Sequence, residues 1–225
     1  MTATTDPRHP AKFSAQIMEA VAPLLPAGGR VLDPFAGTGR IHTFGKFCTT
    51  YGIEIEPEWA NMHPRTRQGD ALQLCQHFGL GYFDAIFTSP TYGNRMADHH
   101  NAKDGSKRHT YTHALGRDLH PNNSGKMQWG QEYRLFHEKV WRQCYSVLKH
   151  DGRMIVNVSD HVRKGQIVPV TSWHRGALLE IGFIEEQVIE IETPRLKHGA
   201  NADLRTGCEY VLVFRKPGLF ELGFI

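Results

Sequence analysis

The sequence of 225 residues has few cysteines, little net charge and no long apolar run. Its four cysteines, Cys48, Cys75, Cys144 and Cys208, stand far apart and form no CxxC pair, which argues against a zinc cluster or a disulfide framework. No apolar stretch approaches the length of a membrane span, and the first residues lack the apolar core of a signal peptide. We therefore expect a cytoplasmic protein with reduced cysteines and no membrane partner.

The formal net charge of +3 is too small to indicate a nucleic-acid partner by itself. The distribution of charge is more informative, because basic residues outnumber acidic ones between positions 94 and 126. These basic residues are Arg95, Lys103, Lys107, Arg108, Arg117 and Lys126. Since residues 93–130 also lack useful periodicity, we predict an insertion or long loop there whose basic residues contact nucleic acid. A solvated insertion without a partner is the alternative.

The same stretch is rich in histidine. The five histidines are His99, His100, His109, His113 and His120. A zinc site is one interpretation of them, but no cysteine joins the group, and polar loop residues are the more ordinary interpretation. The sequence therefore predicts no metal.

Strand and helix patterns alternate along the chain. A first buried strand is predicted to end at Val31 and Leu32, and further strands at residues 51–55, 82–88 and 153–160, with helices at 132–148 and 172–181. Two further strands, 186–192 and 209–215, have no helical pattern between them, so we expect them to form an antiparallel pair at one edge. This alternation predicts one α/β domain over residues 1–225, doubly wound around a mainly parallel sheet.

The stretch Arg30–Arg40 reads RVLDPFAGTGR and dominates the first half of the chain. Val31 and Leu32 predict the end of a buried strand, and Gly37 and Gly39 allow a sharp turn that a ligand can approach closely. A glycine-rich turn after the first strand of an α/β unit is where nucleotide-like cofactors bind. Because the spacing is not the dinucleotide GxGxxG pattern, a turn without a ligand is the alternative.

Acidic residues follow the next two strands. Glu54, or as second choice Glu56, stands where an acid can accept both hydroxyls of a ribose. The alternative is an acid that caps the next helix, which has Pro57 in its first turn. Asp70 follows the third strand and can accept a hydrogen bond from a purine amino group, or can be a loop aspartate.

Five segments, in chain order HPAKFS, DPFAGTG, GIEIEP, GDA and TSPTY, resemble those of the S-adenosylmethionine-dependent amino-methyltransferases that modify DNA. They span most of His9–Tyr92, and DPFAGTG followed by SPxY at this separation is a specific combination. The resemblance implies a Rossmann-like methyltransferase domain with a seven-stranded sheet and a reversed last strand. It also implies S-adenosylmethionine as cofactor and DNA as partner.

The resemblance implies two sets of site residues. The cofactor-binding set is Lys12, Phe13, Ser14, Asp33, Phe35, Gly37, Gly39, Glu54 and Asp70. The catalytic set is Ser89, Pro90 and Tyr92. Here the Ser89 hydroxyl and the Pro90 carbonyl would accept N–H bonds from an exocyclic amine, and Tyr92 would stack on a base flipped out of the helix.

Two features of the tetrapeptide affect what the resemblance implies. Thr91 stands where the family pattern has a second proline, which removes some backbone rigidity. Ser89, rather than Asp or Asn, is similar to the cytosine-N4 members, so we favour cytosine N4 over adenine N6. The alternatives are an RNA methyltransferase of the guanine-N2 type and a catalytically weak nucleic-acid-binding protein. With no large target-recognition domain expected, specificity would come from short loops or a second subunit, for which a homodimer is one option.

Overall fold

The structure is a computed structural model that describes residues 13–93, 110–193 and 207–223. Its strands are β1 (Arg30–Asp33), β2 (Thr49–Glu54), β3 (Thr66–Gln68), β4 (Phe83–Thr88), β5 (Leu148–Val158), β6 (His161–Arg163), β7 (Gln166–Val168), β8 (Ile184–Glu192) and β9 (Cys208–Arg215). Its α-helices are α1 (Ala15–Val21), α2 (Pro57–Ala60), α3 (Leu74–His77), α4 (Tyr111–Leu115), α5 (Gln131–Val147) and α6 (Val170–Ile181). Short 3-10 segments occupy Ala22–Leu24, Arg40–Lys46, Ala71–Gln73 and Ser124–Lys126. No helix within these ranges is long and apolar enough to cross a bilayer.

Seven strands form one sheet in the order β3-β2-β1-β4-β5-β9-β8. The first five strands of this order run parallel, and β9 runs antiparallel to both β5 and β8. The predicted mainly parallel α/β sheet with an antiparallel terminal pair is therefore confirmed. The strand order reverses between β1 and β4, and open α/β sheets bind ligands beyond the carboxyl ends of the strands at such a point.

The central strands are apolar on both faces because helical layers cover both. Leu32 and Ile86 belong to the cluster that includes α5 and α6, whereas Val31 and Phe87 belong to the cluster that includes α1. Neighbouring residues of one strand point to opposite faces, so β1 and β4 contribute to both layers. This burial fixes the strand ends on which the site is built.

Three local details differ from the sequence prediction. The helix predicted to reach residue 148 and to end at Gly152 instead ends at Val147, and β5 begins at once. The helix predicted from Ser172 begins at Val170. The hairpin β6–β7 was not predicted, because two strands of three residues are too short to show a period. Its turn places Lys164 and Gly165 at φ 51° and 72°, as a two-residue hairpin turn of positive φ requires.

The layer of α5 and α6 buries two histidines whose protonation should affect stability. Burial lowers the pKa of His137 to about 4 and the pKa of His174 well below its ordinary value. An unfolded chain keeps histidine at a pKa of about 6.5, so below that pH the unfolded state binds more protons than the folded state. These histidines therefore lower the free energy of unfolding as pH falls from about 6.5 towards 4.

We expect His137→Gln to make the free energy of unfolding less dependent on pH, because it removes one of these two groups. Urea unfolding of the wild type and the variant at pH values of about 7, 6 and 5 measures the difference. The variant should lose less stability than the wild type on acidification. Parallel pH profiles for the two proteins would contradict this prediction.

Candidate active site

A cavity of about 380 Å³ lies at the carboxyl ends of the central strands. The sequence-predicted residues that line it are Phe13, Asp33, Phe35, Gly37, Glu54, Asp70, Ser89, Pro90 and Tyr92. One cavity is thus lined both by residues at the ends of β1, β2 and β3 and by residues that follow β4. Ser14 and Gly39 are not among the lining residues. Ser14 caps α1 by accepting from the Ile17 N–H at 3.2 Å.

The turn after β1 needs glycine at two positions. Gly37 and Gly39 have φ of 52° and 80°, in the left-handed region that favours glycine. A Cβ on Gly39 would stand 2.8 Å from Cδ2 of His42 and 3.0 Å from Cβ of His63. Glycine at position 39 therefore lets the turn pack closely against His42 and His63, whereas Gly37 lines the cavity.

Asp33 is buried at the end of β1 and ties two strands together. Its Oδ1 accepts from the Phe35 N–H at 3.0 Å and from the Thr88 hydroxyl at 2.7 Å. Burial raises the pKa of Asp33 to about 7, although both hydrogen bonds favour the charged form. The turn after β1 is thereby bonded to the residue that precedes Ser89.

Glu54 is held in place by two backbone N–H groups. Its Oε2 accepts from the Gly37 N–H at 2.8 Å, and its Oε1 accepts from the Glu56 N–H at 2.9 Å. Burial raises the pKa of Glu54 to about 7. A carboxylate oxygen has two lone pairs, so each oxygen can accept one further hydrogen bond.

Glu56, the second choice for the ribose role, is fully buried outside the cavity lining. It accepts from the Arg117 guanidinium at 2.8 Å, the His120 N–H at 2.8 Å and the Asn123 amide at 2.7 Å. Arg117 also bonds Glu58. Glu56 therefore anchors the segment that follows α4, and Glu54 is the acid that borders the cavity.

The position of Arg117 bears on the predicted nucleic-acid contacts. Two carboxylates hold its guanidinium, so its contact with nucleic acid stays a prediction that this geometry does not favour. Lys126 is exposed at the end of a 3-10 turn. The other four predicted nucleic-acid contacts, Arg95, Lys103, Lys107 and Arg108, lie outside the described residues, as does Lys12 of the cofactor-binding set.

Asp70 begins the 3-10 turn after β3 and uses both of its oxygens. Its Oδ1 accepts from the Leu72 N–H at 2.9 Å, and its Oδ2 accepts from the Asn122 amide at 2.8 Å. Asn122, Asn123 and Ser124 themselves line the cavity. The segment after α4 therefore closes the cavity on the side of Asp70, a contribution that sequence reasoning missed because it depends on tertiary contacts.

The tetrapeptide after β4 is restrained by side chains from elsewhere. The Ser89 hydroxyl lies 3.0 Å from the Tyr92 hydroxyl. Thr91 is held at two points, because its carbonyl accepts from the Tyr133 hydroxyl at 2.6 Å and its hydroxyl donates to Ser124 at 2.9 Å. These contacts restrain the residue that replaces the proline of the family pattern.

A buried hydrogen-bond chain supports Thr91 from the helical layer. The Trp141 indole N–H donates to Nδ1 of His174 at 3.1 Å, and Nε2 of His174 lies 2.8 Å from the Tyr133 hydroxyl. Because an indole can only donate, Nδ1 must accept, and the neutral ring carries its proton on Nε2. Each group in the series therefore donates to the next, from the Trp141 indole through His174 and the Tyr133 hydroxyl to the Thr91 carbonyl.

Removing the hydroxyl of Tyr133 should show how much this series of hydrogen bonds contributes to stability. Tyr133→Phe leaves a buried imidazole N–H and the Thr91 carbonyl without their partner, so we expect the free energy of unfolding to fall by about 1–3 kcal/mol. Tyr145→Phe on the same helix is the matched control and should change stability little, since no other residue is bonded to that hydroxyl in the described parts of the chain. Denaturant unfolding measures both variants, and equal stabilities would contradict the prediction.

Two lining residues that sequence reasoning missed close the far side of the cavity. Asn157 of β5 donates from Nδ2 to Oε2 of Glu209 at 2.8 Å and to the Tyr92 hydroxyl at 3.3 Å. Glu209 stands near the start of β9, which begins at the edge where β5 ends because the two strands are antiparallel. The signal available in the sequence was one polar residue, Asn157, in an apolar strand.

Metal ligation has no support in the described geometry. Within residues 13–93, 110–193 and 207–223, no group of three or more His, Cys, Asp or Glu side chains is placed to hold a metal ion. Of the histidines considered for zinc, His99, His100 and His109 lie outside these ranges.

Comparison with known proteins identifies the family of the chain. The chain matches the DNA methylase family over residues 83–221, which is more than half of its length. No curated protein matches the sequence. A candidate DNA modification methylase from Thermus thermophilus is 22% identical, and the match covers 67% of this chain but only 51% of that protein, with a TM-score of 0.43.

Two solved structures match nearly the whole fold. An S-adenosylmethionine-dependent methyltransferase from Mesorhizobium loti is 12% identical over 90% of this chain and 98% of that chain, with a TM-score of 0.53. One from Methanosarcina mazei is 12% identical over 88% of this chain and 97% of that chain, with a TM-score of 0.56. At this identity the two likenesses establish the fold. By the match to its family, the chain belongs to the DNA methylase family of S-adenosylmethionine-dependent methyltransferases.

Proposed function

We propose that this chain transfers a methyl group from S-adenosylmethionine to an exocyclic amine of a DNA base that has left the duplex. Cytosine N4 is favoured over adenine N6. The observation that carries the proposal is the shared cavity, in which the glycine turn and the tetrapeptide face one another. The bond between Thr88 and Asp33 holds these two parts together.

The residues on the β1, β2 and β3 side fit the cofactor. Gly37 has no side chain to obstruct a ligand, and the free lone pairs of Glu54 suit the two hydroxyls of a ribose. Each Asp70 oxygen has one protein donor and can accept another hydrogen bond, as an adenine amine would require. Phe13 stacks on Phe87 with ring centroids 4.3 Å apart and borders the cavity, where it can cover the methionine end together with Lys12 and Ser14.

The tetrapeptide residues fit an amine substrate. The lone pair of an exocyclic amine is delocalised into the base, so the nitrogen is a poor nucleophile. Acceptance of its N–H groups by the Ser89 hydroxyl and the Pro90 carbonyl would favour a pyramidal nitrogen, and the Tyr92 ring would stack on the base. S-adenosylmethionine supplies a methyl group already activated on a sulfonium, so the main task of these residues is to hold the amine in line.

Serine at position 89 supports cytosine N4 as the target, since this residue is similar to the cytosine-N4 members of the family. Contact with DNA would involve the basic insertion. Lys126 and Arg117 are its described exposed members, and Arg117 is already paired with Glu56 and Glu58. The homodimer and the cytoplasmic location remain predictions.

Methyl transfer can be measured with the purified chain and radiolabelled S-adenosylmethionine, offering duplex DNA and tRNA in parallel. We expect label in DNA, and mass spectrometry of the digested product should detect N4-methylcytosine. N6-methyladenine would keep the mechanism and refute the base assignment. Label in tRNA alone would favour the RNA alternative, and label in neither would favour the binding-protein alternative.

Tyr92 can be tested separately from the cofactor residues. Tyr92→Ala should remove base stacking worth about 1–3 kcal/mol, seen as a higher KM for DNA, while calorimetry shows unchanged cofactor affinity. Tyr92→Phe is the matched control, because it keeps the ring and loses only the hydroxyl. If the alanine and phenylalanine variants are impaired equally, the ring does not stack on the base.

A further inference from the structure

The substrate side of the cavity contains a buried acceptor, the side-chain oxygen of Asn157. Asn157 lines the cavity and is only 2% exposed. Its Oδ1 has no hydrogen-bond donor among the residues that the structure describes. A buried carbonyl oxygen without a donor is costly and rare in native proteins, so this oxygen is a candidate to accept a hydrogen bond from a bound ligand.

The orientation of this amide is set by Glu209. A carboxylate can only accept, so the Asn157 group that faces Oε2 of Glu209 at 2.8 Å must be the NH2 group. Rotating the amide by half a turn would set Oδ1 against the carboxylate. Glu209 therefore keeps Oδ1 of Asn157 directed away from β9.

The same orientation makes the Tyr92 hydroxyl an acceptor. The Asn157 NH2 group donates to it at 3.3 Å, and the Ser89 hydroxyl lies 3.0 Å from the same Tyr92 hydroxyl. The Ser89 oxygen thus already takes part in a hydrogen bond, whereas Oδ1 of Asn157 takes part in none with the residues that the structure describes. Of the two side-chain acceptors, Asn157 therefore gains more from an incoming N–H group.

We propose that Oδ1 of Asn157, in place of the Ser89 hydroxyl, accepts one of the two N–H groups of the target amine while the Pro90 carbonyl accepts the other. Glu209 is then a positioning residue that holds the amide in the accepting orientation. The inference rests on the proposed function, and it adds a determinant of substrate class. A base with an amine supplies the missing donor. A base with a carbonyl at that position, such as uracil or hypoxanthine, would place a second acceptor against Oδ1 and would be rejected.

The direct test is nucleoside binding in the presence of S-adenosylhomocysteine, measured by ligand-observed NMR with two pairs of probes. The pairs are cytidine with uridine and adenosine with inosine. We expect the wild type to prefer the amine over the carbonyl by about tenfold in at least one pair, as one buried hydrogen bond would give. Asn157→Ala should abolish that preference.

Glu209→Gln tests the positioning role, because glutamine keeps the size of the side chain but allows the Asn157 amide to rotate. We expect this variant to lose most of the preference while its affinity for S-adenosylhomocysteine stays unchanged. Glu190→Gln, at an exposed position of β8, is the matched control and should retain the preference. A merely structural Glu209 would reduce the affinities for both members of a pair equally.

The outcomes separate this inference from the proposed function. An amine preference that Asn157→Ala abolishes, in a protein that methylates neither DNA nor RNA, would support the amine site and refute the proposed activity. Methyl transfer to DNA at the same rate by the wild type and Asn157→Ala would overturn the inference alone. Equal binding of both members in each pair, or binding of no nucleoside, would also overturn it.

Discussion

The hydrogen bond between Thr88 and Asp33 connects the two halves of the site. Asp33 ends β1 and begins the glycine turn, whereas Thr88 ends β4 and precedes Ser89. Because these strands are parallel neighbours, one bond of 2.7 Å fixes the turn relative to the tetrapeptide. The cost of burying the Asp33 carboxyl, seen in its raised pKa, is offset in part by the two donors that converge on it.

Rigidity at the tetrapeptide comes from tertiary contacts rather than from local sequence. A proline at position 91 would restrict the backbone by itself. Thr91 instead depends on Tyr133 of α5 and on Ser124 of the segment after α4. Because Asn122 and Asn123 in that segment also bond Asp70 and Glu56, the base side and the proposed cofactor side of the cavity share one support.

The sequence allowed the strands, the glycine turn and the tetrapeptide to be predicted because each has a local signal of apolar runs, glycine or proline. Glu54 and Asp70 could be placed because the carboxyl ends of parallel strands lie at one edge. The partners of Arg117 could not be predicted, since Glu56 and Glu58 lie about sixty positions earlier in the chain. Glu209 was missed for a related reason: it faces Asn157 only because β9 is inserted antiparallel beside β5.

The insertion of β9 also sets the order in which the sheet can be completed. The ribosome makes β9 after β8, yet β9 lies between β5 and β8. A nascent chain that ends before β9 therefore leaves one edge of β5 unpaired and gives β8 no partner in the sheet, and unpaired edges promote aggregation. Glu209 reaches the cavity in the same step that pairs these edges. The substrate side of the cavity is therefore complete only when β9 has paired with both β5 and β8.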